Sequence, residues 1–209
     1  MRAVTGFAAV VAVAALSFTA TDVQANLLAN PGFEGAPIAE GPPPFTGRWH
    51  PFGGFGPFPP TFAGTNGVDP HTGLQHLELQ IDNVPNTFAG VFQDVPGLTP
   101  GDNVEFSGWH LSLLDSGGIE IRIEWRDSVN DVEITRTPNL VPTPAALYEP
   151  FSLPAVVPAG ADTARVVYAI QSFGAGPNQL VRVDDLSFVP EPASLALLGL
   201  GGLAMLRRR

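Results

Sequence analysis

The sequence predicts an all-β fold, an antiparallel β-sandwich flanked by an apolar targeting helix at each end of the chain. Prolines and glycines, 22 and 23 of the 209 residues, cluster into turn signals, and prolines interrupt every candidate helix of the body. Between these turns, four segments alternate apolar and polar residues, as strands with one buried face do. These segments are residues 77–82, 104–107, 119–126 and 181–184.

The first 25 residues predict a cleaved secretory signal peptide. Arg2 precedes an apolar run over residues 3–18, and the segment ends in the small residue Ala25, which a signal peptidase accepts. Asn26 would then begin the mature chain. A single N-terminal membrane anchor is the alternative, although the apolar run is shorter than the ~20 residues that a spanning helix needs.

The body, residues 26–189, predicts one domain with an acidic surface. It holds six Arg, no Lys and eighteen Asp and Glu, a formal charge of minus 12. This charge argues against nucleic-acid binding, which needs a surplus of cations on one face. The chain has no Cys, which excludes disulfides, thiolate metal sites and a Cys nucleophile.

A segment rich in Pro and Phe, residues 35–60, interrupts the alternating pattern near the start of the body. Its phenylalanines and Trp49 would be costly to leave in water, so we expect a long loop that folds over one edge of the sandwich.

Aromatic side chains near polar ones mark the candidate ligand sites, because sugar rings stack on flat aromatic surfaces while polar groups bind the hydroxyls. Alternation places Trp109 and Glu105 on the strand face opposite the core. Trp49, beside Arg48 in the Pro-rich segment, is the second candidate. A Trp109 packed under that segment is the alternative.

In the predicted strand 119–126, the tryptophan lies on the core face instead of the outer face. Trp125 shares parity with three isoleucines and is expected in the core. The charged residues on its other face predict a solvated salt-bridge ladder. They are Glu120, Arg122, Glu124 and Arg126.

The C-terminal segment, residues 190–209, combines three features in a fixed order. Pro190, Glu191 and Pro192 precede an apolar stretch over residues 193–206, and Arg207, Arg208 and Arg209 end the chain. The stretch is marginal for a permanent membrane span, and the arginines would stay on the cytoplasmic side.

This order resembles the PEP-CTERM sorting signal of Gram-negative bacteria. The resemblance implies a precursor held transiently in the inner membrane by the C-terminal helix and processed by an exosortase. It also implies delivery to the outer surface or to extracellular polysaccharide. It implies nothing about the activity of the domain that carries the signal.

Four landmarks of the body resemble the galactose-binding-like jelly rolls of many carbohydrate-binding modules. They occur in that family's order: residues 26–34 (NLLANPGFE), 73–78 (GLQHLE), 91–109 with VFQ, GLTPG and FSGW, and 183–186 (VDDL). The resemblance implies a jelly-roll sandwich and carbohydrate binding, although this fold also hosts other roles.

The same resemblance implies a structural calcium ion. Neighbouring first and last strands would bring Glu34 close to Asp184, and carboxylates are ligands that Ca²⁺ prefers. The alternative is that Glu34 accepts hydrogen bonds from turn amides and that Asp184 lies at an exposed strand edge.

Together these features favour an exported, noncatalytic protein that associates with the cell surface or extracellular polysaccharide and binds carbohydrate. A structural surface or matrix protein that binds no glycan is the alternative, and a hydrolase that modifies exopolysaccharide is the third. The sequence contains no nucleophile elbow, zinc-protease helix or phosphate-binding loop, which argues against catalysis.

Overall fold

The computed structural model describes residues 25–35, 43–54, 61–115 and 117–190. Within these ranges the chain forms ten strands and no helix. Both predicted targeting helices lie outside them, as do Glu191, Pro192 and the three terminal arginines. The strands are β1 (His50–Gly53), β2 (Thr61–Asn66), β3 (His76–Ile81), β4 (Phe88–Pro96), β5 (Asn103–Leu114), β6 (Ile119–Asp127), β7 (Val132–Arg136), β8 (Glu149–Val156), β9 (Thr163–Gln171) and β10 (Gln179–Pro190).

The strands form two five-stranded sheets. The first sheet has the order β1-β4-β9-β6-β7 and the second the order β2-β3-β10-β5-β8. All eight of these strand pairings are antiparallel. The predicted antiparallel sandwich is therefore confirmed.

The core lies between the sheets and is built from alternate residues of each strand. In β6, three isoleucines and Trp125 point inward, as predicted for Trp125, and β9 contributes Ala164, Val166, Tyr168 and Ile170. In β5, Val104, Phe106 and His110 are buried, so Glu105 and Trp109 lie on the outer face. Burying each large apolar side chain stabilises the fold by roughly 1.5 to 3 kcal/mol, which fixes the register of every strand.

The two ends of the domain lie side by side, as the sequence analysis expected. The Leu27 amide donates a hydrogen bond of 3.0 Å to the Phe188 carbonyl. The Asn26 side chain donates to the Leu186 carbonyl and accepts from the Phe188 amide. Residues 26–29 thus run along β10, whose last residue, Pro190, is the first residue of the Pro-Glu-Pro sequence.

The Pro-rich segment contributes an edge strand, where the sequence predicted only a loop. Its described residues include β1, which pairs with β4 at the edge of the first sheet. Phe45 and Phe52 then pack against Phe92 on the outer face of that sheet. The segment covers one edge of the sandwich as expected, but strand pairing fixes it in place.

Candidate functional site

Trp49 does not form an exposed aromatic surface. It is fully buried, its ring lies 5.3 Å from that of Phe33, and its indole nitrogen donates to the Asn30 carbonyl at 3.1 Å. The prediction that Trp49 contacts a ligand is corrected on this ground, because the core covers the ring. The neighbouring Arg48 is half-buried, with its Nε shielded from solvent.

Trp109 lies on the outer face of the second sheet and remains half-buried. The His71 ring stacks on it, with ring centres 4.3 Å apart and planes 18° apart. Beside it is an open cavity of about 430 Å³, lined mainly by hydroxyl and carboxylate residues. We call this surface the Trp109 face; its polar members are Glu105, Ser107, Ser152, Asp185 and Ser187.

A second and longer depression, the sheet groove, crosses the outer face of the first sheet. Two cavities of about 190 and 210 Å³ share Phe52 and Arg122 as lining residues. A third, of about 510 Å³, continues beyond the Arg165 and Asp94 pair. The groove is lined by Phe52, Phe88, Phe92, Asp94, Glu120, Arg122, Glu124, Arg126, Arg165, Val167, Ala169, Gln171 and Phe173.

Val167 and Ala169 form the floor of the groove, phenylalanines form one wall, and Phe52 covers Gly90. Gly90 of β4 lies beneath Phe52, and a methyl group added there would lie 2.6 Å from the Phe52 Cζ and 2.8 Å from the Tyr168 carbonyl oxygen. Phe88 is 39% exposed at the rim. The groove thus has aromatic surface along one side of a narrow floor.

Paired charges form the opposite wall. Arg165 makes two hydrogen bonds to Asp94, of 2.7 and 2.9 Å, and its guanidinium lies 4.2 Å from the centre of the Phe92 ring. Arg122 donates to Glu124 at 2.8 Å and also pairs with Glu120. These pairs hold a row of donors and acceptors in fixed positions, as recognition of ring hydroxyls requires.

Carboxylate partners raise the pKa of arginines on this sheet. Burial alone would lower the pKa of Arg165, but the hydrogen bonds and charge of Asp94 outweigh it and raise that pKa. At the far edge, the hydrogen bonds that Arg136 donates to Glu133 raise the pKa of Arg136 and lower the pKa of Glu133. The groove is therefore charged but internally neutralised.

This groove was not predicted from the sequence. Alternation predicted a solvated ladder of Glu120, Arg122, Glu124 and Arg126, whereas the side chains of Arg122 and Glu124 are only 14% and 9% exposed. That interpretation is corrected, because phenylalanines from β1 and β4 shield this sheet face. The only sequence signal was the run of aromatic residues over 45–58, whose position relative to β6 no local pattern reveals.

The predicted calcium corner brings its two residues together around the loop 71–74. Asp184 is buried and accepts hydrogen bonds from the amides of His71 and Thr72, while Glu34 accepts from the Leu74 amide. Gly73 in this loop has a positive φ of 64°, and a Cβ there would collide with the Glu34 carboxylate. The loop thus presents N–H donors to both carboxylates.

This arrangement does not fit a metal ion as it stands. Ca²⁺ needs about six to eight oxygen ligands, and the carboxylate oxygens here face donors instead. Among the described residues, no three His, Asp or Glu side chains are grouped so that they could hold a metal. Calcium at Glu34 and Asp184 stays a prediction of the resemblance. Isothermal titration of the chelated protein tests it, and absent binding with an unchanged melting temperature would contradict it.

Comparison with known proteins identifies the C-terminal signal. The family model of the PEP-CTERM protein-sorting motif matches residues 188–209, which implies export, a membrane-anchored precursor and exosortase processing. No curated protein matches the sequence. No helix within the described ranges is both long and apolar enough to cross a membrane.

Solved structures that resemble the body include carbohydrate-binding modules. One is TmCBM61 in complex with β-1,4-galactotriose, at 13% identity and TM-score 0.54, covering 80% of this chain and 99% of that one. Another is the CBM22-1 xylan-binding domain of Paenibacillus barcinonensis Xyn10C, at 14% identity and TM-score 0.53, covering 82% and 97%.

A tailspike of bacteriophage CBA120 shows the same fold in a larger protein. Its enzymatically active domain matches 68% of this chain at 15% identity and TM-score 0.54, and the chain spans only 19% of that protein's length. At these identities the likeness establishes the fold alone.

Proposed function

We propose that this exported protein binds polysaccharide through the sheet groove and performs no catalysis. The observation that carries the proposal is the groove itself, in which a row of phenylalanines faces a row of buried, mutually paired charges across a floor of Val167 and Ala169. Aromatic rings would stack on the apolar faces of the sugars, and the Arg and carboxylate pairs would bind their hydroxyls.

The acidic groups of the groove favour binding over hydrolysis. A glycosidase needs one carboxyl group held protonated and a second placed across the scissile bond. Glu120 and Glu124 instead both pair with Arg122, and Asp94 pairs with Arg165. Each of these three carboxylates is thus engaged by an arginine rather than presented to a glycosidic bond.

Export through the C-terminal signal is consistent with a ligand outside the cell. One module with this fold is in complex with β-1,4-galactotriose and another is a xylan-binding domain, which supports a glycan as the ligand class. We place the mature protein at the outer surface or in the extracellular polysaccharide.

Affinity electrophoresis tests the proposal directly. The mature domain would be run through gels that contain β-1,4-galactan, xylan or the exopolysaccharide of the producing bacterium. We expect retardation by at least one polymer, and a loss of about fivefold or more in affinity for Phe88→Ala, since stacking of an aromatic ring contributes about 1 kcal/mol or more.

The matched control is Val68→Ala, which shortens an exposed apolar side chain outside the groove. It should leave the retardation unchanged. A wild type that no polymer retards would overturn the proposal and favour a structural surface or matrix protein.

A further inference from the structure

The Trp109 face differs from the sheet groove in its location and its chemistry. Strand alternation points Glu105, Ser107 and Trp109 of β5 away from the core, while Val104 and Phe106 point into it. The neighbouring strands add Ser187 of β10 and Ser152 of β8 at the same level of the sheet, opposite Ser107. Three hydroxyl side chains thus lie in one row beside an indole.

The indole of Trp109 is held in place before any ligand arrives. His71 stacks on it, and the His71 Nδ1 lies 2.6 Å from the Asp185 Oδ2. Asp185 in turn accepts a hydrogen bond of 2.7 Å from the Thr72 hydroxyl. A side chain fixed in this way loses little further entropy on binding, which favours affinity.

The polar groups around Trp109 select an uncharged, polyhydroxylated ligand. Glu105 accepts a hydrogen bond of 2.8 Å from Ser152, and Asp185 also lines the cavity, so acceptors and hydroxyls surround the ring. The cavity lining contains no Arg, and the two carboxylates would repel an anionic polymer. Stacking with hydroxyl hydrogen bonds is the recognition that a neutral sugar offers.

The two surfaces lie on opposite sides of the sandwich. The groove is on the outer face of the sheet containing β4, β9 and β6, and Trp109 is on the outer face of the sheet containing β10, β5 and β8. Sheets in a sandwich lie about 10 Å apart with their outer faces pointing away from each other. One short segment of glycan cannot contact both surfaces, whereas two chains can.

We propose that the Trp109 face is a second glycan-binding surface, and that the protein bridges two chains of neutral polysaccharide. This proposal rests on the proposed function of the sheet groove and adds a cross-linking role to it. One protein molecule would bind one chain on each side, so its product outside the cell would be a joined polymer network.

Agglutination of beads coated with the polysaccharide that retards the wild type tests the proposal. Wild-type protein should agglutinate the beads. Trp109→Ala and Ser152→Trp should still coat them, with affinity in the gel within about threefold, but should need at least tenfold more protein to agglutinate them. Ser152 is exposed, so its replacement fills the cavity without disturbing the core.

The outcomes separate the two proposals. If the wild type binds the beads without agglutinating them, or if both variants agglutinate them as well as the wild type, bridging through Trp109 is overturned while the groove stands. If the wild type binds no polymer of the panel, the proposed function fails and bridging fails with it. If self-association of a protein with one glycan site caused the agglutination, Trp109→Ala would agglutinate the beads as well as the wild type does. A loss of agglutination in this variant therefore also excludes self-association.

Discussion

His110 and Tyr168 join the two sheets by a hydrogen bond of 2.8 Å inside the core. Burial lowers the pKa of His110 to about 4, from an ordinary value of 6.5. Between these pH values His110 therefore binds a proton in the unfolded chain but not in the folded one. Its contribution to the free energy of unfolding is fully present above about pH 6.5 and is lost as the pH decreases towards 4, by roughly 3 kcal/mol in total.

Urea denaturation at pH 7.5, 6, 5 and 4.5 measures this loss. In His110→Gln the slope of stability against pH should fall markedly. Burial also lowers the pKa of His76, so that residue contributes to the remaining slope in the same direction. An unchanged slope in His110→Gln would show that His110 does not carry the effect.

Trp49 and Phe88 are aromatic residues with opposite expected effects on stability. Trp49→Ala removes a fully buried indole and should cost about 3 to 5 kcal/mol in free energy of unfolding. Phe88 is at the groove rim, so Phe88→Ala should cost less than about 1 kcal/mol while weakening glycan binding. Denaturant midpoints measure both, and equal losses would contradict the assignment of one to the core and the other to the ligand.

At the scale of elements, β4 and β9 place Asp94 directly opposite Arg165 on the groove face. Arg165→Met alone leaves a carboxylate that is 7% exposed without its partner, and should cost about 3 to 5 kcal/mol. Replacing Asp94 by Leu as well should recover most of that loss, because two apolar residues need no pairing. Urea denaturation of the singles and the double gives the coupling, and additive losses would contradict a buried pair.

Alternation revealed β3, β5, β6 and β10 but missed β4, which is buried on both faces. Residues 77–82 and 119–126 coincide with β3 and β6, whose buried and half-buried positions alternate along most of their length. In β4, seven consecutive residues are buried, because β1, Phe45 and Phe52 cover the outer face. A strand buried on both sides has no period of two, so its sequence gives no such signal.

The candidate site was harder to predict than the fold because its residues come from several strands. Phe52, Phe88, Arg122 and Arg165 come from four strands that are far apart in sequence, and only the sheet order brings them together. Trp109 could be placed on the outer face because it alternates with core residues within a single strand. Trp49 lies in an edge segment without alternation, so its burial depends on contacts that sequence does not show.

For the whole molecule, the distribution of charge indicates what kind of polymer can bind. Four of the six body arginines lie on the first sheet, and all four are paired with carboxylates. The body as a whole carries minus 12. An anionic polymer would find no unpaired cation among these four, so we expect neutral glycans to bind and anionic ones to be repelled.

Binding of a neutral glycan should depend little on salt, because no counterions are released. Between 50 and 500 mM NaCl we expect the affinity in the gel to change by less than about twofold, since paired, half-buried charges are weakly screened. A decrease of tenfold or more over this range would indicate charge attraction and contradict the stacking mechanism.

The location of the bound glycan tests the central claim most directly. The mature domain, labelled with ¹⁵N, would be titrated with an oligosaccharide of the polymer that retards it, and amide chemical shifts would be followed by NMR. The groove predicts the largest changes at Val167, Ala169 and Gln171 of β9, between the phenylalanines and the charged row. Unmoved amides at these three residues at saturation would contradict it, also where the only changes lie on the Trp109 face.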